Sequence, residues 1–122
     1  MCNTLYLPLN KKWFDMIKDG IKKEEYRRFG SVPKGLLDLK EIRKILYWNN
    51  RLIKEIFLEK GKDQCTYRFN HFDRLVFTLG YPKDGDKERR LEFKNPKIRI
   101  GEGRPEWGAE PGKNYFVITW DN

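Results

Sequence analysis

The stretch Gly20-Ile21-Lys22-Lys23-Glu24-Glu25-Tyr26-Arg27 decides how the rest of the chain is read. It follows a short amphipathic segment and opens a β-compatible run. Side chains of a strand alternate faces with a period of two, so Glu25 and Arg27 share a face and Tyr26 takes the other, which fits a core position. Lys22 has the wrong parity to join them within a regular strand. It converges on them only from a turn released by Gly20, just before the strand starts. A lysine, a carboxylate and an arginine gathered in this way suit an anionic or base-like ligand, or acid/base chemistry. The plainer alternative is a buried salt-bridge cluster that only closes the fold.

Working outward, residues 4–9 alternate Leu5, Leu7 and Leu9 with Tyr6 and Pro8, the pattern of a strand in which proline marks an edge or an end. Asn10 caps a helix over 11–19 whose Trp13, Phe14 and Ile17 fall on one face. Lys11 and Lys12 sit at its unfavourable positive end, and Lys18 at the favourable one. Residues 22–28 form the second strand and 30–35 a loop. Residues 36–59 read as helical, with Ile42, Ile45, Leu46, Ile53, Ile56 and Phe57 on one stripe and a break at Asn49-Asn50. Lys40, Arg43, Lys44, Arg51 and Lys54 form a basic outer face, and Trp48 and Arg51, three apart, share a helix face suited to clamping a base. Residues 61–64 form a turn.

The second half reads as β. Leu75, Phe77, Leu79 and Tyr81 share one parity, followed by a hairpin loop at 82–86 that makes a basic loop with Lys83, Lys87, Arg89 and Arg90. In 91–100 the apolar parity changes between Phe93 and Ile98, which predicts a bulge at Asn95-Pro96. Residues 101–113 form a Gly/Pro-rich loop holding Glu106 and Trp107. Residues 115–120 are apolar on both faces, as in a central strand.

The 122 residues fit one domain, 1–122. With 26 basic and 18 acidic residues the net charge is +8, which favours polyanionic partners. No run of about 18 apolar residues predicts a membrane span, and the N-terminus lacks a signal-peptide layout. Two cysteines make neither a disulfide framework nor a metal site, so a reduced, cytoplasmic setting without a metal is the default. The single histidine, His71, is weak support for a nucleophilic or metal centre.

Gly20-x-Lys22-x-x-Glu25-x-Arg27 matches the GxKxxExR motif of the ASCH family. The preceding KWFDMIKDG, Tyr47-Trp48 with Arg51-Leu52, Gly80-Tyr81 and the segment IGEGRPEWGAEPGKNYFVI also resemble ASCH members, so the likeness covers most of the chain. Residues 29–45 are longer than the usual spacing. The resemblance implies an α+β, PUA-like fold: a small β-barrel of about five to six strands, two to three flanking helices, and a cleft lined by the motif. It implies RNA or a nucleoside or nucleotide derivative as partner, and no cofactor. Some members cleave single-stranded RNA. Others hydrolyse the amide of N4-acetylcytidine, using a threonine nucleophile where this chain has Glu25.

Lys22, Glu25 and Arg27 are therefore the candidate catalytic residues, and Trp48, Arg51, Tyr81, Glu106 and Trp107 the candidate ligand- or RNA-binding ones. Binding of RNA or a nucleotide is the leading expectation. A cofactor-free hydrolase, a ribonuclease or modified-nucleobase amidohydrolase using Lys22 and Glu25, is the second. A metabolite-binding regulatory domain is the third.

Overall fold

The computed structural model describes residues 3–28, 51–58, 65–81 and 86–121. The chain divides into two compact units, residues 1–27 with 71–122, and residues 28–70. Each is described by itself.

In the first unit, strand β1 (Thr4–Leu9) leads through Asn10 into helix α1 (Lys11–Lys18), whose last turn hands the chain to strand β2 (Glu25–Arg27). Strands β5 (Arg74–Leu79), β6 (Arg90–Glu102) and β7 (Asn114–Asp121) complete a mixed sheet in the order β1-β5-β6-β7-β2. β1 runs parallel to β5, and every other pairing is antiparallel. The alternation in β1 is what buries Leu5, Leu7 and Leu9 while leaving Tyr6 outside. Leu75 and Phe77 of β5 and Phe116 and Ile118 of β7 continue the same buried layer, and Phe14 and Ile17 of α1 are buried with them. The rings of Phe77, Phe93 and Trp120 meet at centroid distances of 5.0–6.0 Å.

The register of β6 against β7 shifts between Lys94 and Lys97, with Asn95 at a φ of 50°. The bulge therefore lies where the parity changes, and it returns Ile98 and Ile100 to the face that Leu91 and Phe93 occupy. β7 is an interior strand, as expected for its two apolar faces.

In the second unit, β3 (Ile53–Leu58) and β4 (Cys65–Phe69) pair antiparallel as a two-stranded sheet. Asn70 closes it, its N–H donating to the Leu52 carbonyl and its side chain to the Arg51 carbonyl.

Two expectations are corrected here. The chain is not an α+β barrel with two to three helices: among the described residues it is mainly strands, with one α-helix and two open sheets. No ladder joins the terminal strands β1 and β2. β2 is only three residues long, and Pro8 has no N–H to give to a ladder. The second correction concerns 53–58, which is strand rather than helix. Ile53, Ile56 and Phe57 satisfy helical spacing, but β-branched and aromatic residues equally favour a strand, and the register partner in β4 decides between them. Arg51 and Leu52, the end of the predicted helix before β3, lie in a turn; residues 36–50 and 59 of that helix, the 30–35 loop, the 61–64 turn and the 82–85 part of the hairpin loop lie outside the described residues.

Candidate functional site

Local rules bring the cluster together. The Asn10 side chain accepts from the Trp13 N–H and starts α1. At the other end Gly20 adopts a φ of +75°, and the N–H groups of Ile21 and Lys22 both return to the Met16 carbonyl. This exit aims Lys22 back toward the strand that begins three residues later. Glu25 and Arg27 lie in register with Ile118 and Phe116, on the face that carries the buried layer, and Tyr26 lies opposite beside Val117.

Lys22 and Glu25 form a closed pair. Lys22 Nζ donates to Glu25 Oε1 at 2.8 Å, with side chains only 1% and 6% exposed. Glu25 Oε1 also accepts from the Tyr26 N–H at 3.0 Å, and Oε2 from Arg27 Nη2 at 3.4 Å. The ammonium lies 4.4 Å from the Trp13 ring centroid and 5.8 Å from that of Tyr26, an arrangement that favours a cation over each ring. Burial pushes the Lys22 ammonium below the ordinary lysine value; Glu25 opposes that shift and Arg27 adds to it.

Arg27 is the accessible member, with a side chain 31% exposed. Both of its hydrogen bonds leave from Nη2, one to Glu25 and one to the Pro8 carbonyl at 2.7 Å. Nε is buried and has no partner among the described residues. Pro8 belongs to β1 and Arg27 to β2, the two terminal strands of the sheet. The sheet therefore curls until its ends lie one arginine side chain apart.

Tyr26 is half-buried and joins the cluster to its surroundings. Its hydroxyl donates to Glu24 Oε1 and accepts from the Arg104 N–H, both at 2.9 Å. Burial pushes this phenol up to about 12, against the Arg104 N–H, which lowers it, and with Glu24, which raises it. Arg99 holds the other oxygen of Glu24 at 3.0 Å. Gly108, at a φ of +101°, rests against Trp13: a Cβ there would stand 2.8 Å from Cζ2 of the indole.

The structure thus brings Lys22, Glu25 and Arg27 together. It places Tyr81 beyond Gly80, 92% exposed and without a hydrogen bond or ring contact among the described residues. Glu106 and Trp107 lie in a short 3-10 turn, Pro105–Trp107, where Glu106 pairs with Arg104 at 3.7 Å and not with the cluster. Arg51 is exposed and lies in a turn ahead of β3, in the second unit, rather than on a helix. Trp48 lies outside the described residues. Sequence spacing assigned Trp13 to the apolar helix face and Tyr26 to the core, and so missed that their rings flank the Lys22 ammonium. The adjacent KW and EY pairs were the available signal.

Among the described residues no three His, Cys, Asp or Glu side chains converge to hold a metal ion, and no helix is long and apolar enough to cross a membrane. Chemically, the site is a buried, neutralised ion pair beneath a guanidinium that has donors to spare. Comparison with known proteins supplies no relative: no family model matches the sequence, and neither the curated proteins nor the solved structures yield a match.

Proposed function

We propose that this protein binds single-stranded RNA or a nucleotide derivative, with Arg27 as the group that meets the ligand's anionic or carbonyl oxygen. The observation that carries this is the Arg27 side chain, partly exposed, with a buried Nε that no atom of the described residues satisfies. An unpaired buried donor beside a charged cluster has a cost that a ligand oxygen removes. Arginine suits phosphate because its planar fork donates two parallel bonds. The net charge of +8 supplies the long-range attraction. The likeness of the 20–27 motif to the ASCH family supports the same partner.

The test is fluorescence anisotropy with a labelled single-stranded RNA across a salt series. Affinity is expected to fall steeply with salt, by about 0.7 in log–log slope for each phosphate neutralised. Arg27→Lys keeps the charge and removes the fork, and is expected to weaken binding about tenfold. Absence of affinity for single-stranded and structured RNA at low salt excludes this function.

A second reading, hydrolysis of a modified nucleobase or of RNA, has one observation in its favour: burial lowers Lys22 toward the range of a lysine base. Glu25 is the weaker half of that reading, because its two oxygens already accept from Lys22, Tyr26 and Arg27. An unaltered turnover in Glu25→Gln would remove Glu25 from any mechanism.

A further inference from the structure

The loop between β6 and β7 carries an arrangement that the cluster does not use. Its backbone is fastened at two points. The Arg104 N–H donates to the Tyr26 hydroxyl and the Glu110 N–H to the Tyr115 hydroxyl, each at 2.9 Å, and the two phenol rings lie 5.9 Å apart. The 3-10 turn ends on Gly108, which sits against Trp13. From this fastened frame Arg104 lays its guanidinium over the Trp107 ring, with Cζ 4.9 Å from the centroid. Glu106 Oε1 stands 3.7 Å from Arg104 Nη1, within ion-pair range of the same group. The Arg104 side chain nonetheless remains 63% exposed.

A flat cation thus has its centre over an indole and a carboxylate near its edge, while much of its surface stays in water. Phosphate recognition uses the N–H edges of a guanidinium, and one of these is turned to Glu106. The plane remains, and planes of this kind stack on nucleobases. An arginine with no neighbours loses more rotamer freedom when a ligand orders it than one already set against a ring.

We infer that the exposed face of the Arg104 guanidinium, backed by Trp107, is a stacking platform for a nucleobase. It rests on the RNA or nucleotide reading above and deepens it by assigning the base a place apart from the anionic group. Tyr26 and Arg27 are neighbours on β2 with opposite parity, so the platform is fastened beside the cluster on the far side of that strand. A bound strand that reaches both passes over the side of β2 away from β7, where no ladder forms among the described residues.

The experiment compares a single-stranded RNA oligomer with an abasic sugar–phosphate oligomer of equal length, using the whole chain. Arg104→Lys retains the charge but not the plane, and Trp107→Leu removes the backing ring. Each is expected to lower affinity for the base-bearing oligomer about 5- to 100-fold relative to the abasic one. Equal losses on both oligomers, or no loss in Arg104→Lys, overturn the platform. Wild-type protein that binds both oligomers equally, with Arg27→Lys weakening both, also overturns the platform while sparing the Arg27 site. Wild-type protein that binds neither overturns both.

Discussion

Replacing Glu25 by glutamine strips the counter-charge from a lysine that is shut away from water. The Lys22 side chain is 1% exposed and its ammonium donates to Glu25 at 2.8 Å. In the variant it keeps an amide oxygen and two aromatic rings, and faces Arg27 with no anion between them. Removing one partner of a buried pair costs about 3–5 kcal/mol. An independent ceiling comes from proton release: Lys22 can fold neutral, which at pH 7 costs about 1.4 kcal/mol for each pH unit below an ordinary lysine pKa, about 4.6 kcal/mol in all. The expected loss at pH 7 is therefore about 3–5 kcal/mol. The folded pKa of Lys22 lies below its unfolded value, so the unfolded chain binds more protons and stability rises with pH up to the ordinary lysine range. Without Glu25 that slope steepens, and the deficit is expected to shrink to about 2 kcal/mol by pH 9. Lys22→Met costs less, because Glu25 keeps the Tyr26 N–H at 3.0 Å and Arg27. Urea unfolding at several pH values, followed by tryptophan fluorescence, measures all three quantities. A loss under about 1 kcal/mol that does not vary with pH would refute the buried pair.

Two further outcomes follow from the surroundings of the pair. Tyr26 is expected to ionise near 12. An ultraviolet titration of the folded chain should show a late tyrosine step near 12, and Tyr26→Phe should abolish it. Because this pKa is raised in the folded state, the stability it contributes is present below about pH 10 and is lost as the pH rises toward 12. Gly108→Ala forces a side chain into a φ of +101° and to 2.8 Å from the Trp13 indole. A loss of about 1–3 kcal/mol in thermal unfolding is expected, and a neutral result would show that the loop does not rest on Trp13.

What the sequence made legible was local. The cap at Asn10, the turn at Gly20 and the bulge at Asn95-Pro96 each follow from one or two residues and their immediate neighbours. The convergence of Lys22 on Glu25 and Arg27 was likewise a matter of strand parity and one glycine. Partners distant along the chain were not legible. That β1 lies parallel to β5 depends on residues some seventy positions apart, as Thr4 opposite Arg74 shows. Whether the terminal strands close a barrel depends on such pairings, and no stretch of residues encodes it alone. Residues 53–58 carry a helical spacing because Ile53, Ile56 and Phe57 fit both periods, and the strand that chooses between them starts only at Cys65. Trp13 and Tyr26 looked like ordinary apolar residues because a ring that packs on methyl groups and one that packs on an ammonium have the same spacing.

The bond from Arg27 to the Pro8 carbonyl also bears on how the sheet meets other chains. Among the described residues β1 and β2 are the two edges of the sheet, and an exposed edge is a template for pairing with another chain. At Pro8 the β1 edge has no donor, and its acceptor is already taken by a guanidinium from the opposite end of the same sheet. Neighbouring copies find that end of β1 blunted on both counts. The residue proposed to meet the ligand is thus also an edge guard, which ties the use of this site to protection against self-association.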